Sequence, residues 1–403
     1  MSSLSRYKIV CEYIGQTYTG WQRLSISKTS TTTTTTTIDG SPVNDSTKKQ
    51  EYKYKYNKYN KYNKYRDEEE LDDEKKVGPR ENGRSIQYAI EHGLSHIMRQ
   101  RIQIVGSSRT DSGVNSLCQV AHCDLPNQRY DKKGTIEQEQ LTPSIIKIAL
   151  NQQLKRHNHD IRIVSVEKVD NEFHSRYNAT SRTYLYKIMT GVRPTEVPLE
   201  LKNKVWPIWE TLDIDQMKET ASFLQGLHDF DSLRSAKCQA KSPIRSISHI
   251  KIIDLPLPDI WRYNNDDSTP PKIQYIGLEI KGRSFLHNQV RIMSSCLAEI
   301  GRGHMTLDNL KEIMKGRDRT LAPATAPAYP LTLVKVSYGE NIEIDDTQTI
   351  RLQQLLDERK EFELNNNNIN NNNNNNNNDQ KDNKKSTTNS PGLIDRLLTL
   401  LKK

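Results

Sequence analysis

The feature that most constrains the fold of this chain is an order of predicted elements that occurs twice. In the first half, apolar periodicity predicts this order over 7–13 (strand), 84–98 (helix), 101–105 and 116–125 (strands), 142–154 (helix) and 161–169 (strand). In the second half the order is repeated over 182–189 (strand), 215–227 (helix), 244–255 and 272–282 (strands), 287–300 (helix) and 331–338 (strand). One extra helix is predicted over 307–316. The pattern therefore predicts two copies of one structural unit.

Each copy has the order of a split βαβ, or ferredoxin-like, unit. We predict an α+β fold in which two ferredoxin-like (βαββαβ) units lie side by side, with bounds 1–171 and 172–340. Their strands are expected to form a concave, mainly antiparallel sheet with helices on one face. The long open face of such a sheet suits an elongated polyanion.

Two low-complexity segments lie outside this pattern. Residues 24–83 contain the run Thr31–Thr37, a Tyr/Lys/Asn repeat and an acidic cluster, and residues 341–403 contain the asparagine tract Asn365–Asn378. Neither segment has the apolar periodicity that would offset the entropy of ordering it. We therefore predict that 24–83 is a disordered insertion and that 341–403 is a mostly disordered tail.

The positive charge of the chain is concentrated in the remaining 280 residues. The whole chain carries a formal net charge of +9, while 24–83 has a net charge of +1 and 341–403 of −1. A basic folded region is the electrostatic pattern of a protein that binds phosphates. A basic surface without such a partner is the alternative interpretation.

Cysteine usage and hydropathy exclude several classes of protein. The five cysteines are scattered, which favours neither a disulfide framework nor a zinc site, and we predict no metal. No apolar stretch is long enough to span a membrane, and the N-terminus has no secretory signal pattern. We expect an intracellular protein, cytoplasmic or mitochondrial rather than secreted, with no membrane partner.

The segment GSSRTDSGVN, residues 106–115, contains the main candidate for chemistry. It follows a strand-like run and connects the second and third predicted strands of the first unit. Ser, Asp and Gly are common turn residues, so Asp111 alone is consistent with an Asx turn that has no catalytic role. The surrounding sequence decides between a turn residue and a catalytic carboxylate.

Five other segments accompany this one in a fixed order. They are YTGWQR (18–23), RSIQYAIEHGL (84–94), FHSRYNATSRTYLYKI (173–188), SFLHNQVRIM (284–293) and TLAPATAPAYPLTLVKVSY (320–338). Together the six resemble the signature blocks of the TruA family of tRNA pseudouridine synthases, in which the Asp of an R-T-D-x-G-V sequence is catalytic. The resemblance covers residues 18–338. It implies an isomerase (an intramolecular transferase) that converts uridine to pseudouridine in tRNA without a metal or any other cofactor.

The resemblance also implies roles for individual residues. Asp111 matches the catalytic carboxylate, and Arg109 matches the arginine that displaces the target base and braces its place. Tyr184 matches the tyrosine that stacks on the flipped uracil and assists proton transfer. Arg291 is the candidate for an ion pair with Asp111, the alternative being an ordinary surface arginine.

Arg182 and Leu331 join Tyr184 as predicted substrate-binding residues. Periodicity alone does not separate Tyr184 from Tyr186, which lies on the same face of its strand, and the block match selects Tyr184. A simple core position in the sheet is an equally good interpretation of Leu331.

Three residues depart from the family pattern. Ile14 replaces an Asp, Asn115 replaces the His after G-V, and Pro330 replaces a Gly. None of these removes a group that the chemistry needs, so they bear on loop conformation and target choice. The serine at 112, where the nuclear branch usually has Lys, favours the bacterial or mitochondrial-type branch.

Other functions fit the sequence less well. A catalytically idle RNA-binding protein on the same scaffold would be free to lose Asp111, Arg109, Tyr184 and Arg291, all of which are present. Hydrolysis by paired carboxylates needs a second acid, and the matched blocks supply none. No GxxxxGK loop for nucleoside triphosphates occurs. The expected partner is tRNA, and homodimer formation is left open.

Overall fold

The computed structural model describes residues 4–22, 85–130, 136–139, 141–257, 273–339 and 346–375. The predicted insertion 24–83 lies outside the described residues. The first half contains β1 (Leu4–Tyr13), α1 (Ile86–Met98), β2 (Val105–Gly106), β3 (Asn115–Pro126), β4 (Gln128–Tyr130), β5 (Ile136–Glu139), α2 (Pro143–Arg156) and β6 (Ile161–Val169). The second half contains β7 (Ala179–Thr190), β8 (Trp206–Ile208), α3 (Ile214–Leu224), β9 (Gly226–Asp229), β10 (Ile244–Asp254), β11 (Tyr275–Gly282), α4 (Gln289–Gly301), α5 (Leu307–Gly316), β12 (Leu331–Tyr338) and α6 (Asp346–Asn375).

The described strands of both halves, apart from the β4–β5 hairpin, form one sheet. Its order is β6-β1-β3-β12-β7-β11-β10-β9, with β2 paired to β3 and β8 paired to β7. Within each half the four main strands have the same order, β6-β1-β3-β2 and β12-β7-β11-β10. The pairings are antiparallel except for β3 with β12 and β7 with β8. The predicted α+β class with two ferredoxin-like units is confirmed.

The two units are joined where β2 ends. This strand has only two residues, and they pair with the middle of β3. The beginning of β3 is therefore available to another strand, and Asn115 and Ser116 pair in parallel with Thr332 and Leu333 of β12. Because the loop between β2 and β3 comes directly before this pairing, residues 107–114 lie at the joint between the units.

The predicted strand over 101–105 is wrong for its first four residues. They have no regular structure, although Ile102 and Ile104 are buried. Their backbone N–H groups donate to side chains of α1 instead of to a strand, from Ile102 to Ser95 Oγ (2.9 Å) and from Ile104 to Glu91 Oε1 (3.0 Å). An alternating apolar pattern can thus be buried under a helix without forming a ladder.

The core of the first unit follows from alternation along β1. Every second residue of this strand is buried, and these residues pack with α1 and α2 in a single cluster. Both helices have capped beginnings, since Ser85 Oγ accepts from the N–H of Tyr88 and Thr142 Oγ1 from that of Ile145. The strand thus presents one face to two well-defined helices.

Helix α4 crosses the core of the second unit. All of its residues are buried except Arg291 and Glu299, which are partly exposed. A helix that is buried on almost every side is surrounded by protein. Arg291 is therefore held on a rigid, buried element at its first turn.

Helix α6 contradicts the prediction of disorder for 341–403 over Asp346–Asn375. Leu352, Leu355 and Leu356 are buried against Leu227 of β9 and Ile244 of β10. Their i, i+3, i+4 spacing gives the helix an apolar face that the neighbouring asparagine tract conceals in a composition count. Burial of these leucines supplies stabilisation that the composition of the tail does not indicate.

Candidate active site

The loop that carries Asp111 is held mainly through its backbone. The N–H of Trp21 donates to Thr110 O (3.0 Å), and the N–H of Val114 donates to Asp111 O (3.2 Å), which closes a turn. Gly113 has φ +83, a left-handed conformation that favours glycine. The hydroxyl of Tyr13 lies 2.8 Å from Thr110 Oγ1. The carboxylate thus projects from a fixed turn.

The segment after β1 packs closely against this loop. At Gly20, which has φ +105, an added Cβ would lie 2.7 Å from Thr110 O, and at Gly15 it would lie 2.0 Å from Val114 O. Both distances are too short for any side chain. The glycine-containing YTGWQR block is therefore required by the close approach of two backbones, with the buried Trp21 packed beside them.

Two basic side chains of the second unit flank the Asp111 carboxylate. Arg291 Nη1 lies 3.6 Å from Asp111 Oδ2, and His287 Nε2 lies 3.6 Å from Oδ1. The Asp111 side chain is 24% exposed, and both contacts are longer than an ordinary hydrogen bond. The carboxylate is thus paired electrostatically while its lone pairs stay open to a ligand.

Burial and charge act in opposite directions on Asp111. Partial burial raises the pKa of its carboxyl above the ordinary value, and the charges of His287 and Arg291 lower it in part. Without these two side chains the carboxyl group of Asp111 would be still harder to ionise. The second unit therefore controls the charge of a residue that belongs to the first.

The guanidinium of Arg291 is oriented by two further contacts. Its Nε donates to Ala326 O (2.8 Å) and its Nη1 to Asn288 Oδ1 (2.9 Å). The predicted approach of Arg291 to Asp111 is what the structure has. His287 was not identified from the sequence, and it lies before the first residue of α4.

Tyr184 lies beside the loop that carries Asp111. It is buried, its hydroxyl is 2.8 Å from Ser108 Oγ, and its ring meets Phe285 edge to face. Burial raises the pKa of the phenol, so Tyr184 keeps its proton at neutral pH. Tyr186 differs, because its hydroxyl donates to Pro327 O. Of the two tyrosines, Tyr184 therefore contacts the loop of Asp111.

Arg109 differs from the other arginines of the site. Its side chain is exposed, and it makes no hydrogen bond or ion pair with any residue in the described ranges. It lies two residues before Asp111 on the same loop. Its guanidinium is therefore free to engage a ligand.

Arg182 is buried and bonds to backbone carbonyls around it. Its Nη1 donates to Ala179 O and Arg283 O, and its Nη2 donates to Ser107 O and Arg176 O, at 2.6–3.2 Å. These contacts tie the loop that carries Asp111 to the second unit. Its predicted contact with substrate stays a prediction, as does that of Leu331, which is 4% exposed on β12.

The three departures from the family pattern lie around the same joint. Asn115 accepts from the N–H of Gly15 (2.9 Å) and donates to Tyr329 O (2.8 Å), so it connects the two units. Pro330 O accepts from the N–H of Lys187 (3.4 Å), and Ile14 is exposed. Asn115 thus has a structural role at the position of the family histidine.

The described residues contain no group of three or more His, Cys, Asp or Glu residues arranged to hold a metal ion. Among the described helices, none combines the length and the apolar character needed to cross a membrane.

Known proteins with similar sequences identify the family of this chain. The family model described as tRNA pseudouridine synthase matches residues 9–178 and 221–339. This chain belongs to the tRNA pseudouridine synthase family, whose members are isomerases.

Curated relatives from bacteria support the same assignment. tRNA pseudouridine synthase A of Ehrlichia chaffeensis is 36% identical over 254 residues, which are 63% of this chain and 90% of the relative. The enzyme of the same name from Ehrlichia ruminantium (strain Gardel) is 34% identical over 258 residues, 64% of this chain and 91% of the relative. That of Brucella ovis is 34% identical over 259 residues, 64% and 90% respectively. The resemblance to the TruA family is thus confirmed.

Proposed function

We infer that this chain converts uridine to pseudouridine in tRNA and that Asp111 is the catalytic carboxylate. The observation that carries the proposal is the state of Asp111 at the joint of the two units. Its carboxylate is flanked by Arg291 and His287 at 3.6 Å, which is longer than an ordinary hydrogen bond. These two side chains oppose the effect of burial on its charge, and its oxygens are available to a ligand.

The reaction needs an ionised carboxylate and no added reactant. The N1–C1′ bond of uridine breaks, the base turns, and C5 bonds to C1′, while C5 loses a proton and N1 gains one. A carboxylate supports this exchange as a nucleophile at C1′ or as the counter-charge of an electron-poor sugar carbon. Asp111 has the charge for either role when Arg291 and His287 oppose the effect of its burial.

Arg109 and Tyr184 have complementary roles in this proposal. A uridine stacked in RNA must be extruded before C1′ can reach the carboxylate, and the unpaired guanidinium of Arg109 is placed to occupy the vacated position. Tyr184, protonated and bonded to Ser108, offers a ring for stacking and a hydroxyl for proton transfer. Arg182 and Leu331 are proposed as further parts of the substrate pocket.

The substrate follows from charge and from the family. The basic charge outside the low-complexity segments suits a polyphosphate backbone, and the curated relatives are named for tRNA. An intracellular site of action is part of the same proposal, and homodimer formation stays open.

The test is pseudouridine formation in a pool of unmodified tRNA, comparing the natural protein with Asp111→Asn. We expect product only from the natural protein. Since burial disfavours the charged form of Asp111, the neutral amide should fold at least as stably and bind tRNA. Product from both proteins would refute the role of Asp111. Binding without product from either would favour the catalytically idle RNA-binding protein.

A further inference from the structure

An exposed tyrosine lies on the turn that enters β7. Tyr177 is 63% exposed, and its ring lies against that of His174, with ring centroids 4.2 Å apart and planes at 31°. Behind His174 lies the buried His122, at 4.6 Å between centroids. The three rings form a series from the interior to the surface, and Tyr177 is its outer member.

The turn is rigid before any ligand binds. His174 Nδ1 accepts the backbone N–H groups of both Arg176 and Tyr177, each at 3.2 Å. Burial lowers the pKa of His174 and lowers that of His122 to about 4, so both rings are neutral near pH 7 and can accept. Ser175 Oγ donates to Val105 O, next to β3. A ligand of Tyr177 therefore meets a surface whose ordering is already complete.

The same turn is tied directly to the catalytic loop. Arg182 Nη2 donates to Ser107 O (2.8 Å) and to Arg176 O (2.9 Å), so these two oxygens are less than about 6 Å apart. Nη1 of the same guanidinium donates to Arg283 O. Tyr177 thus has a fixed position relative to the loop that begins at Ser107 and carries Asp111.

Positive charge accompanies the exposed ring. Arg176 Cζ lies 5.8 Å from the centroid of Tyr177, and the Arg176 side chain is exposed. Arg109 is exposed on the nearby loop. An aromatic face beside exposed guanidinium groups is the combination with which proteins bind unpaired nucleotides, by stacking on the base and pairing with the phosphate.

We propose that Tyr177, supported by His174 and flanked by Arg176, is a stacking site for an unpaired base of the RNA substrate other than the uridine that is isomerised. The inference rests on the proposed function, because extrusion of the target uridine removes a stacking partner from its neighbours. A fixed ring near the catalytic loop restores that contact. Arg176 pairs with the phosphate of the same nucleotide.

The test measures tRNA affinity separately from chemistry, with the full chain. We expect Tyr177→Ala to weaken binding of unmodified tRNA about tenfold and Tyr177→Phe, which keeps the ring, to bind within about twofold of the natural protein. The single-turnover rate at saturating tRNA should change less than about threefold for both variants, because the ring does not touch the reacting atoms.

Trp209→Ala is a matched control. Trp209 is 57% exposed with Arg193 at 4.8 Å over its ring, and it follows β8, which pairs with the opposite end of β7. We expect unchanged binding. Equal weakening by Trp209→Ala, equal weakening by Tyr177→Phe, or normal binding by Tyr177→Ala would each overturn the stacking site.

The binding assay also separates this proposal from the proposed function. Product from the natural protein combined with normal tRNA binding by Tyr177→Ala overturns the stacking site alone. A lack of product combined with a Tyr177-dependent affinity overturns the isomerase and leaves the stacking site supported.

Discussion

The two units have the same strand order but differ in one strand, and that difference creates the site. In the second unit the strand next to β11 is β10, with 11 residues, whereas its counterpart β2 in the first unit has two. The short strand releases the beginning of β3 to pair with the second unit. It also places the Asp111 loop beside α4. One unit thus supplies the carboxylate, and the other supplies the arginine and the histidine that flank it.

The largest effect is expected from removing the main cation that the second unit supplies. Arg291→Gln takes away a charge that is always present on arginine and leaves Asp111 with His287 alone. Loss of one preorganised electrostatic contact typically lowers kcat by about 10²- to 10³-fold. We expect that loss in the single-turnover rate of pseudouridine formation, with tRNA affinity nearly unchanged.

Arg193→Gln is the control for this prediction. Arg193 also carries a guanidinium in the second unit, but it lies over Trp209, away from the loop. Arg193→Gln should leave the single-turnover rate of pseudouridine formation unchanged. A rate for Arg291→Gln within about threefold of the natural protein would show that the cation has no part in the reaction.

A smaller effect, on folding, is expected where the units are tied by Arg182. Arg182→Lys cannot reach four carbonyls at once, so buried acceptors lose their partners. We expect the free energy of unfolding in urea to fall by about 2–4 kcal/mol. Arg162→Lys, on a side chain that is 76% exposed, should change it by less than about 0.5 kcal/mol. Equal free energies of unfolding for the two variants would show that the contacts of Arg182 do not stabilise the protein.

The smallest effect on stability concerns α6, which packs on β9 and β10 of the second unit. Arg359 Nη1 bonds to Asp229 Oδ2 (3.0 Å) and Asp231 Oδ2 (2.9 Å) and is partly exposed, while Arg317 still pairs with Asp229. Arg359→Gln should therefore cost only about 1 kcal/mol of unfolding free energy. Activity should be unchanged. A loss of activity without a loss of stability would give α6 a role that this packing does not explain.

The sequence predicted elements best where one local pattern decides the structure. Strand 331–338 and helix 307–316 have the predicted bounds, because alternation and a capping threonine act within a few residues. The strand over 101–105 failed because side chains of α1, not a neighbouring strand, take up its N–H groups. Helix α6 was missed because its buried leucines precede an asparagine tract.

The residues of the candidate site also divide into those that the sequence indicated and those that it did not. The family blocks indicated Asp111, Tyr184 and Arg291, and the structure brings all three around one loop. The contacts of Arg182 could not be read from the sequence, since its acceptors come from three separate segments. His287 was overlooked because no single-residue pattern distinguishes a histidine beside a carboxylate from a solvent-exposed one.

The proposed mechanism pairs a carboxylate of one unit with basic side chains of the other. Its most direct test is the pH dependence of single-turnover pseudouridine formation. The reaction needs ionised Asp111, whose pKa is raised by burial and lowered in part by His287 and Arg291. The rate should therefore rise with pH through a pKa above the ordinary 3.8. In Arg291→Gln this acidic limb should move to higher pH, because a lost positive charge makes ionisation harder. A limb that stays in place or moves to lower pH would contradict the pairing of Asp111 with the second unit.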